Sequence, residues 1–202
     1  MVTLARLLLP LLASAASADY QIRLQTDVQA GVPLGLVIIN VTSAWAPLGA
    51  AHLQKVVEDQ FYNGAAIFRV VPNFVVQFGI AGEPAENKKW STPIKDDPVM
   101  ASNIKGTVTY ATGGPNTRTT QLFINLQDNK RLDSQGFAPF GTVVHGMDCV
   151  EAIYNPTPGD PGGVDQNAYE TKGNEWIREQ YPKINFITSG TVSSCDASGR
   201  EC

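Results

Sequence analysis

Histidine, cysteine and charge are all scarce in this chain of 202 residues. There are two histidines, His52 and His145, and three cysteines, Cys149, Cys195 and Cys202. Neither histidine stands at metal-ligand spacing from the other or from a cysteine, so no metal site is expected. Charged residues make up 17% of the chain, less than the quarter or so that is usual in soluble proteins. The formal net charge is −4 and no basic patch stands out, which argues against a nucleic-acid partner. "GGPNT" lacks the Gly-Lys-Ser/Thr ending of a phosphate loop. Long apolar runs are missing as well. The longest, Leu7–Leu12, is well short of the roughly 20 residues a membrane span needs.

What is present is a turn-rich chain, with 18 glycines, 13 prolines and 43% hydrophobic residues. That suits one domain with a substantial core, and a β protein better than a helical bundle. Residues 1–18 stand apart. "MVTLARLLLPLLASAASA" carries one positive charge, Arg6, then the apolar run, then small residues. Ala16-Ser17-Ala18 fits a cleavage site before Asp19, so a secretory signal peptide is expected, with a membrane anchor as the alternative. The mature chain then begins near Asp19 and is secreted, or resides in a lumen or periplasm. In that oxidising context Cys195 and Cys202, in "CDASGREC", either close a small disulfide loop or remain free thiols. Cys149 reads as a small core residue. Asn40-Val41-Thr42 is a glycosylation sequon, meaningful at Asn40 only in a eukaryotic secretory pathway.

Along the chain, Val37–Val41 reads as a strand, and "APLGAAHLQKVVEDQFY" as a helix over about Leu48 to Phe61, because Ala50, Leu53, Val56, Val57 and Phe61 share a face. Gly79–Pro98 reads as a long polar loop, with Asp96-Asp97 as a solvated pair. "GTVTYAT", "QLFIN", "FAPFGTVV" and "KINFITSG" read as strands, Met147–Tyr154 as a short helix, and "AYETKGNEWIREQYP" as partly helical, weakened by Gly173. "NPTPGDPGGVDQN" has no periodicity, and Gly159-Asp160 is turn chemistry. Trp45, Trp90 and Trp176 read as packing residues. Many short strands with few helices imply an antiparallel barrel or sandwich, and closure would remove exposed edges.

"FRVVPNFVVQFG" reads as two short strands around Pro72-Asn73, yet it carries Arg69 and Gln77. Their even separation suits one shared face, although the turn interrupts the strand. Taken alone, Arg69 more simply packs its stem and sends its head to solvent. Two further stretches reverse that weighting: "GTVTYATGGPNTRTTQLFIN" and "LDSQGFAPFGTVVHGMD". With the first they resemble the cyclophilin family of peptidyl-prolyl isomerases, whose F-H-R-x-I-P-x-F-x-x-Q-x-G pattern stands here as Ile67 to Gly79. The resemblance spans about Val37 to Thr188, and "LDSQGFAPFG" is closer to bacterial-type members.

The resemblance implies a mainly β fold: a closed antiparallel eight-stranded barrel, capped by two helices. It places a lead-in at 19–36, the domain at 37–190 and a tail at 191–202. It implies acceleration of cis/trans rotation at X-Pro bonds, with Arg69 as the main catalytic residue and Gln77 binding substrate backbone while fixing the arginine. Phe74, Val75, Phe123 and Leu132 would line the proline pocket, Ala111, Thr112 and Gly113 would form the neighbouring backbone edge, and Gln121 would flank the groove. Phe137, at a place where many members have histidine, would only pack. Arg131 precedes Leu132 where many members have tryptophan, so weak cyclosporin binding is expected. Thr112 replaces the usual asparagine. Partners are Pro-containing peptides or unfolded clients. A monomer is expected by family analogy, and no cofactor is needed. The alternative is a non-catalytic module that holds Pro-containing segments in the same groove.

Overall fold

In "YQIRLQT" every second residue, Tyr20, Ile22, Leu24 and Thr26, is buried, the alternation of a strand with one face on a core. A computed structural model describes residues 19–194 of the chain. It makes this segment β1 (Tyr20–Thr26), followed by β2 (Leu36–Val41), α1 (Pro47–Glu58), β3 (Arg69–Val71) and β4 (Val75–Phe78). Then come α2 (Pro84–Lys89), β5 (Thr107–Tyr110), β6 (Leu122–Asn125), a 3-10 helix (Lys130–Gln135) and β7 (Pro139–His145). The described chain ends with α3 (Met147–Glu151), α4 (Gln166–Gln180) and β8 (Ile187–Ser194).

The strands form one eight-stranded antiparallel sheet in the order β3-β4-β6-β5-β7-β2-β1-β8. The mainly β expectation holds. Closure is less complete than expected, since the edge strands β3 and β8 form no ladder with each other. A single bridge, Ala66 to Phe186, joins the segments beside them. Residues of β1, β2, β4 and β6 share one buried cluster with the inner face of α1, formed by Ala50, Leu53, Val56 and Val57. A second cluster joins Phe68 to Tyr169 and Ile177 of α4 and to Phe186. Fully burying each such side chain contributes about 1.5–3 kcal/mol.

Several expected boundaries move. The segment 19–36 is not only a lead-in: β1 lies within it and pairs with both β2 and β8, so the sheet already includes Tyr20–Thr26. At the other end β8 starts at Ile187 rather than Lys183 and runs into the expected tail, to Ser194. The polar loop holds α2, and the stretch before β7 holds the 3-10 helix. Besides the two long helices α1 and α4, the described residues hold three short ones, α2, the 3-10 helix and α3. α4 is interrupted at Gly173, whose φ of 69° and ψ of −158° break the helix, and a Cβ there would collide with the Gly82 carbonyl. Cys149 is buried and free, as expected of a core residue. Asn40 lies within β2, where its side chain accepts a hydrogen bond from Gln21 Nε2 at 2.9 Å. The signal-peptide segment, Cys195 and Cys202 lie outside the described residues.

Asp97 is not solvated. It is 5% exposed and caps α1 from a distance. The local N-cap of α1, Ala46, has no side chain to offer, and Asp97 accepts from the backbone N–H groups of Leu48 (2.9 Å) and Gly49 (2.8 Å). Those are orphan donors of a helix N-terminus, where a carboxylate is favoured. Asp97 also pairs with Arg118 at 3.0 Å, and that buried guanidinium sits 5.4 Å from the Tyr110 ring centre. Asp96 is the more open partner, at 3.3 Å from Arg118.

Behind this pair, His52 Nε2 lies 2.9 Å from the Thr119 carbonyl, and its ring meets Trp90 edge-on. Burial pushes the His52 pKa below the ordinary histidine value, the Thr119 hydrogen bond opposes this, and Lys55 and Arg118 add to the lowering. The unfolded chain, at about 6.5 for an ordinary histidine, therefore takes up the proton first. Stability is expected to be full above about pH 6.5 and to fall as pH drops from there toward the folded value. Urea midpoints measured between pH 8 and 5 should show this slope, and His52→Gln should flatten it. An unchanged slope in the variant would contradict the assignment.

Candidate active site

Pro72 and Asn73 form the tight turn between β3 and β4. Proline presets φ at the first central position, Asn73 takes φ 57° at the second, and the Phe74 N–H donates to the Val71 carbonyl at 3.0 Å. The hairpin register then sets Arg69 directly opposite Gln77. Cross-strand partners share a face, so the two side chains meet. On β4 and β6, Val76, Phe78, Leu122 and Ile124 join the main core, while the alternate residues point to the outer face of the sheet. There Val75 and Phe123 join Leu132 in a separate apolar cluster, with Phe74, Ala111 and Phe137 packed against it. The Phe123 and Phe137 rings meet edge to face at 5.7 Å.

This cluster floors a cavity of about 290 Å³. Arg69, Phe74, Val75, Gln77, Ala111, Thr112, Phe123, Leu132 and Phe137 all line it, and so does Gln135. Gly113 and Gln121 line an adjoining cavity of about 350 Å³ that shares Gln77, Ala111 and Thr112. The fold thus brings together every residue expected at the site. Thr112 is pinned locally: its hydroxyl bonds the Gly114 carbonyl and meets the Thr117 hydroxyl at 2.8 Å. The Ala111 N–H donates to the Gln121 backbone carbonyl at 2.9 Å.

One polar chain runs through the site. Gln77 Nε2 donates to Gln121 Oε1 at 2.7 Å, and Gln77 Oε1 accepts from Arg69 Nη1 at 2.7 Å. Arg69 Nε donates to the Pro161 carbonyl at 2.6 Å. Partial burial lowers the arginine pKa from its ordinary value, yet a guanidinium stays charged at any working pH. Two of its three nitrogens are thus held by the protein. Nη2 has no protein partner among the described residues, and no carboxylate among them pairs with Arg69.

The contact that the Pro161 loop makes with Arg69 has no signal in the sequence. Gly163 has φ 79° and lies so close to Arg69 that a Cβ there would stand 2.7 Å from the Arg69 Cβ. Nothing in an aperiodic "GDPGG" announces a contact made across the fold. Gly163→Ala is expected to strain the left-handed backbone by about 1–2 kcal/mol. It should also displace Arg69, lowering any turnover at this site by about tenfold or more in kcat rather than in KM. Peptide exchange rates beside denaturant midpoints separate the two effects.

Comparison with known proteins speaks to the family and the fold. The family described as "Cyclophilin type peptidyl-prolyl cis-trans isomerase/CLD" matches residues 22–182. A peptidyl-prolyl cis-trans isomerase of Acinetobacter baylyi is 34% identical over 163 residues, 78% of this chain and 83% of the relative. Peptidyl-prolyl cis-trans isomerase A of Dickeya dadantii is 31% identical over 146 residues, 69% of this chain and 77% of the relative. A crystal structure of a cyclophilin-type isomerase from Cryptosporidium parvum superposes with a TM-score of 0.62 at 16% identity, covering 87% of this chain and 98% of that one. At that identity the likeness speaks for the fold alone.

Proposed function

Since the chain belongs to the cyclophilin-type peptidyl-prolyl cis-trans isomerase family, we propose that its outer groove accelerates rotation about X-Pro bonds, with Arg69 as the principal catalytic residue. The observation that carries this reading is the held guanidinium beside an apolar pocket. Rotation about a peptide C–N bond costs about 18–20 kcal/mol because resonance is lost. As the bond twists, the proline nitrogen becomes pyramidal and gains a lone pair. Arg69 Nη2, free of protein partners among the described residues, donates to that lone pair. The planar ground state offers it no such acceptor, so the interaction lowers the barrier. Gln77 and Pro161 keep the guanidinium in place beforehand, so little reorganisation is needed during the turn.

Phe74, Val75, Phe123 and Leu132 hold the proline ring while the preceding carbonyl swings. Ala111 to Gly113 and Gln121 bind the extended backbone of the same segment, and Phe137 packs the pocket wall. No covalent intermediate or proton transfer takes part. Cyclosporin binds weakly in this reading, because Arg131 stands at the rim. The protein acts as a monomer on Pro-containing peptides or unfolded clients, and the sequence of residues 1–18 supports export from the cytosol.

NMR exchange spectroscopy of a short X-Pro peptide with the chain from Asp19 tests the proposal. Faster exchange is the expected result. Peptide binding without faster exchange, with several residues tried before proline, would replace it by the non-catalytic module.

A further inference from the structure

We propose that Arg131 makes this groove favour X-Pro segments that carry a carboxylate next to the proline. The inference rests on the isomerase reading of the groove and adds a specificity-determining residue to it. Phe74, on the cavity wall, has two guanidinium groups over its ring: the Arg131 carbon at 4.5 Å from the centroid and the Arg69 carbon at 6.0 Å. Neither arginine forms an ion pair among the described residues. Asp128 and Asp133 flank Arg131 in sequence, Asp160 precedes the Pro161 that holds Arg69, and each is hydrogen-bonded elsewhere. Asp128 accepts from the Lys105 N–H at 3.1 Å. Asp133 accepts from the Ser102 hydroxyl (2.5 Å) and from the backbone and side chain of Asn103 (2.8 Å each). Asp160 accepts from the Gly162 N–H at 2.8 Å. Beside an apolar pocket, two guanidinium groups thus stand without an ion-pair partner among the described residues, on a chain whose formal net charge is −4.

Arg131 is also well placed to use that charge. It belongs to the 3-10 helix, its neighbour Leu132 is buried in the pocket cluster, and its carbonyl accepts from Ser134 and Gln135. The root of the side chain is therefore fixed. Stacking a guanidinium by its face on an aromatic ring leaves the in-plane N–H donors at the edge, free for a carboxylate. A ligand proline seated against Phe74 brings its neighbouring residues to that edge. A carboxylate there pairs equally well with the planar and the twisted peptide, so the gain falls on binding and KM rather than on kcat.

The test uses matched peptides with Glu, Gln or Lys immediately before or immediately after the proline. Affinity is read by NMR titration and turnover by exchange, for the wild-type chain, Arg131→Leu and Arg131→Lys. At one of the two positions the wild type should bind the Glu peptide about two- to fivefold more tightly than the Gln peptide, as exposed ion pairs do at low salt. The Lys peptide should bind more weakly than either. The preference should fade in about 0.5 M salt, vanish in Arg131→Leu and largely return in Arg131→Lys. An equal Glu-to-Gln ratio in wild type and Arg131→Leu at both positions overturns the proposal, as does a preference indifferent to salt or no detectable binding of the Glu peptides. Peptides that bind without faster exchange would sink the isomerase reading alone, since the affinity ratio still reports on Arg131.

Discussion

Arg69→Ala is expected to lower kcat for X-Pro isomerisation by about 10²- to 10³-fold, the usual loss when one preorganised donor to a transition-state charge is removed. The stem of Arg69 packs against Gly163, and its head bonds Gln77 and Pro161, but the residue starts a short edge strand. The truncated protein should therefore stay folded, with a modest fall in midpoint. Gln77 will retain Gln121 as a partner, so the rest of the polar chain need not collapse. Arg69→Lys is the sharper variant. It keeps the charge but cannot reach the Pro161 carbonyl, the Gln77 oxygen and the substrate nitrogen together, because an ammonium is a point donor and not a planar fork. We expect it to recover little of the lost rate. Exchange spectroscopy at saturating peptide, beside circular dichroism of each variant, checks both. Wild-type turnover in a folded Arg69→Ala would remove the arginine from the mechanism.

Asp97→Ala should have the largest effect on stability of any single acidic residue here, about 3 kcal/mol, because it removes the buried counter-charge of a buried guanidinium and leaves only the more open Asp96, at 3.3 Å from Nε. Arg118 is 4% exposed, and two of its nitrogens, Nε and Nη1, already lack a hydrogen-bond partner. Asp97 takes its Nη2 and two N–H groups at the start of α1. Removing it strands the two helix N–H groups and leaves Nη2 with the Lys95 carbonyl as its acceptor. The neighbouring Asp96→Ala should cost about 1 kcal/mol or less, since that side chain is 35% exposed and solvent replaces it. Replacing the buried pair together, as Asp97→Ala with Arg118→Met, should be less damaging than Asp97→Ala alone, because no charge is then left in the interior. Urea denaturation with a common slope would resolve these three variants. A double variant no more stable than the single would show that Asp97 matters chiefly as the cap of α1.

Much of this could be read along the chain, for reasons that are local. The face of α1 was legible because Ala50, Leu53, Val56 and Val57 recur at helical spacing and all go to one core. The strands carrying Val75, Gln77 and Phe123 were legible because alternation is a property of neighbours. The same alternation is present in β1, yet the motifs that carry the resemblance begin only after it, at about Val37. Its role, between β2 and β8, is a matter of pairing across the whole domain. The 3-10 helix carries no apolar period long enough to detect, since it spans a single short segment, Lys130–Gln135.

The chain by itself therefore determined which residue types were available to the groove and in what order. A hairpin with proline and asparagine at its turn carried Arg69 and Gln77, and the resemblance of its motifs named the rest of the site. Only the tertiary structure decided how those residues are held. Register put Arg69 opposite Gln77, and a loop 92 residues further along brought the Pro161 carbonyl to its Nε. It also decided that Asp97 is buried while Asp96 stays half open, and that Arg131 lies over Phe74. The division has a physical cause. Turns, helices and strand faces follow from contacts within a few residues. The position of a charged head depends on partners whose distance in sequence is arbitrary, and on how much solvent the assembled fold leaves around it.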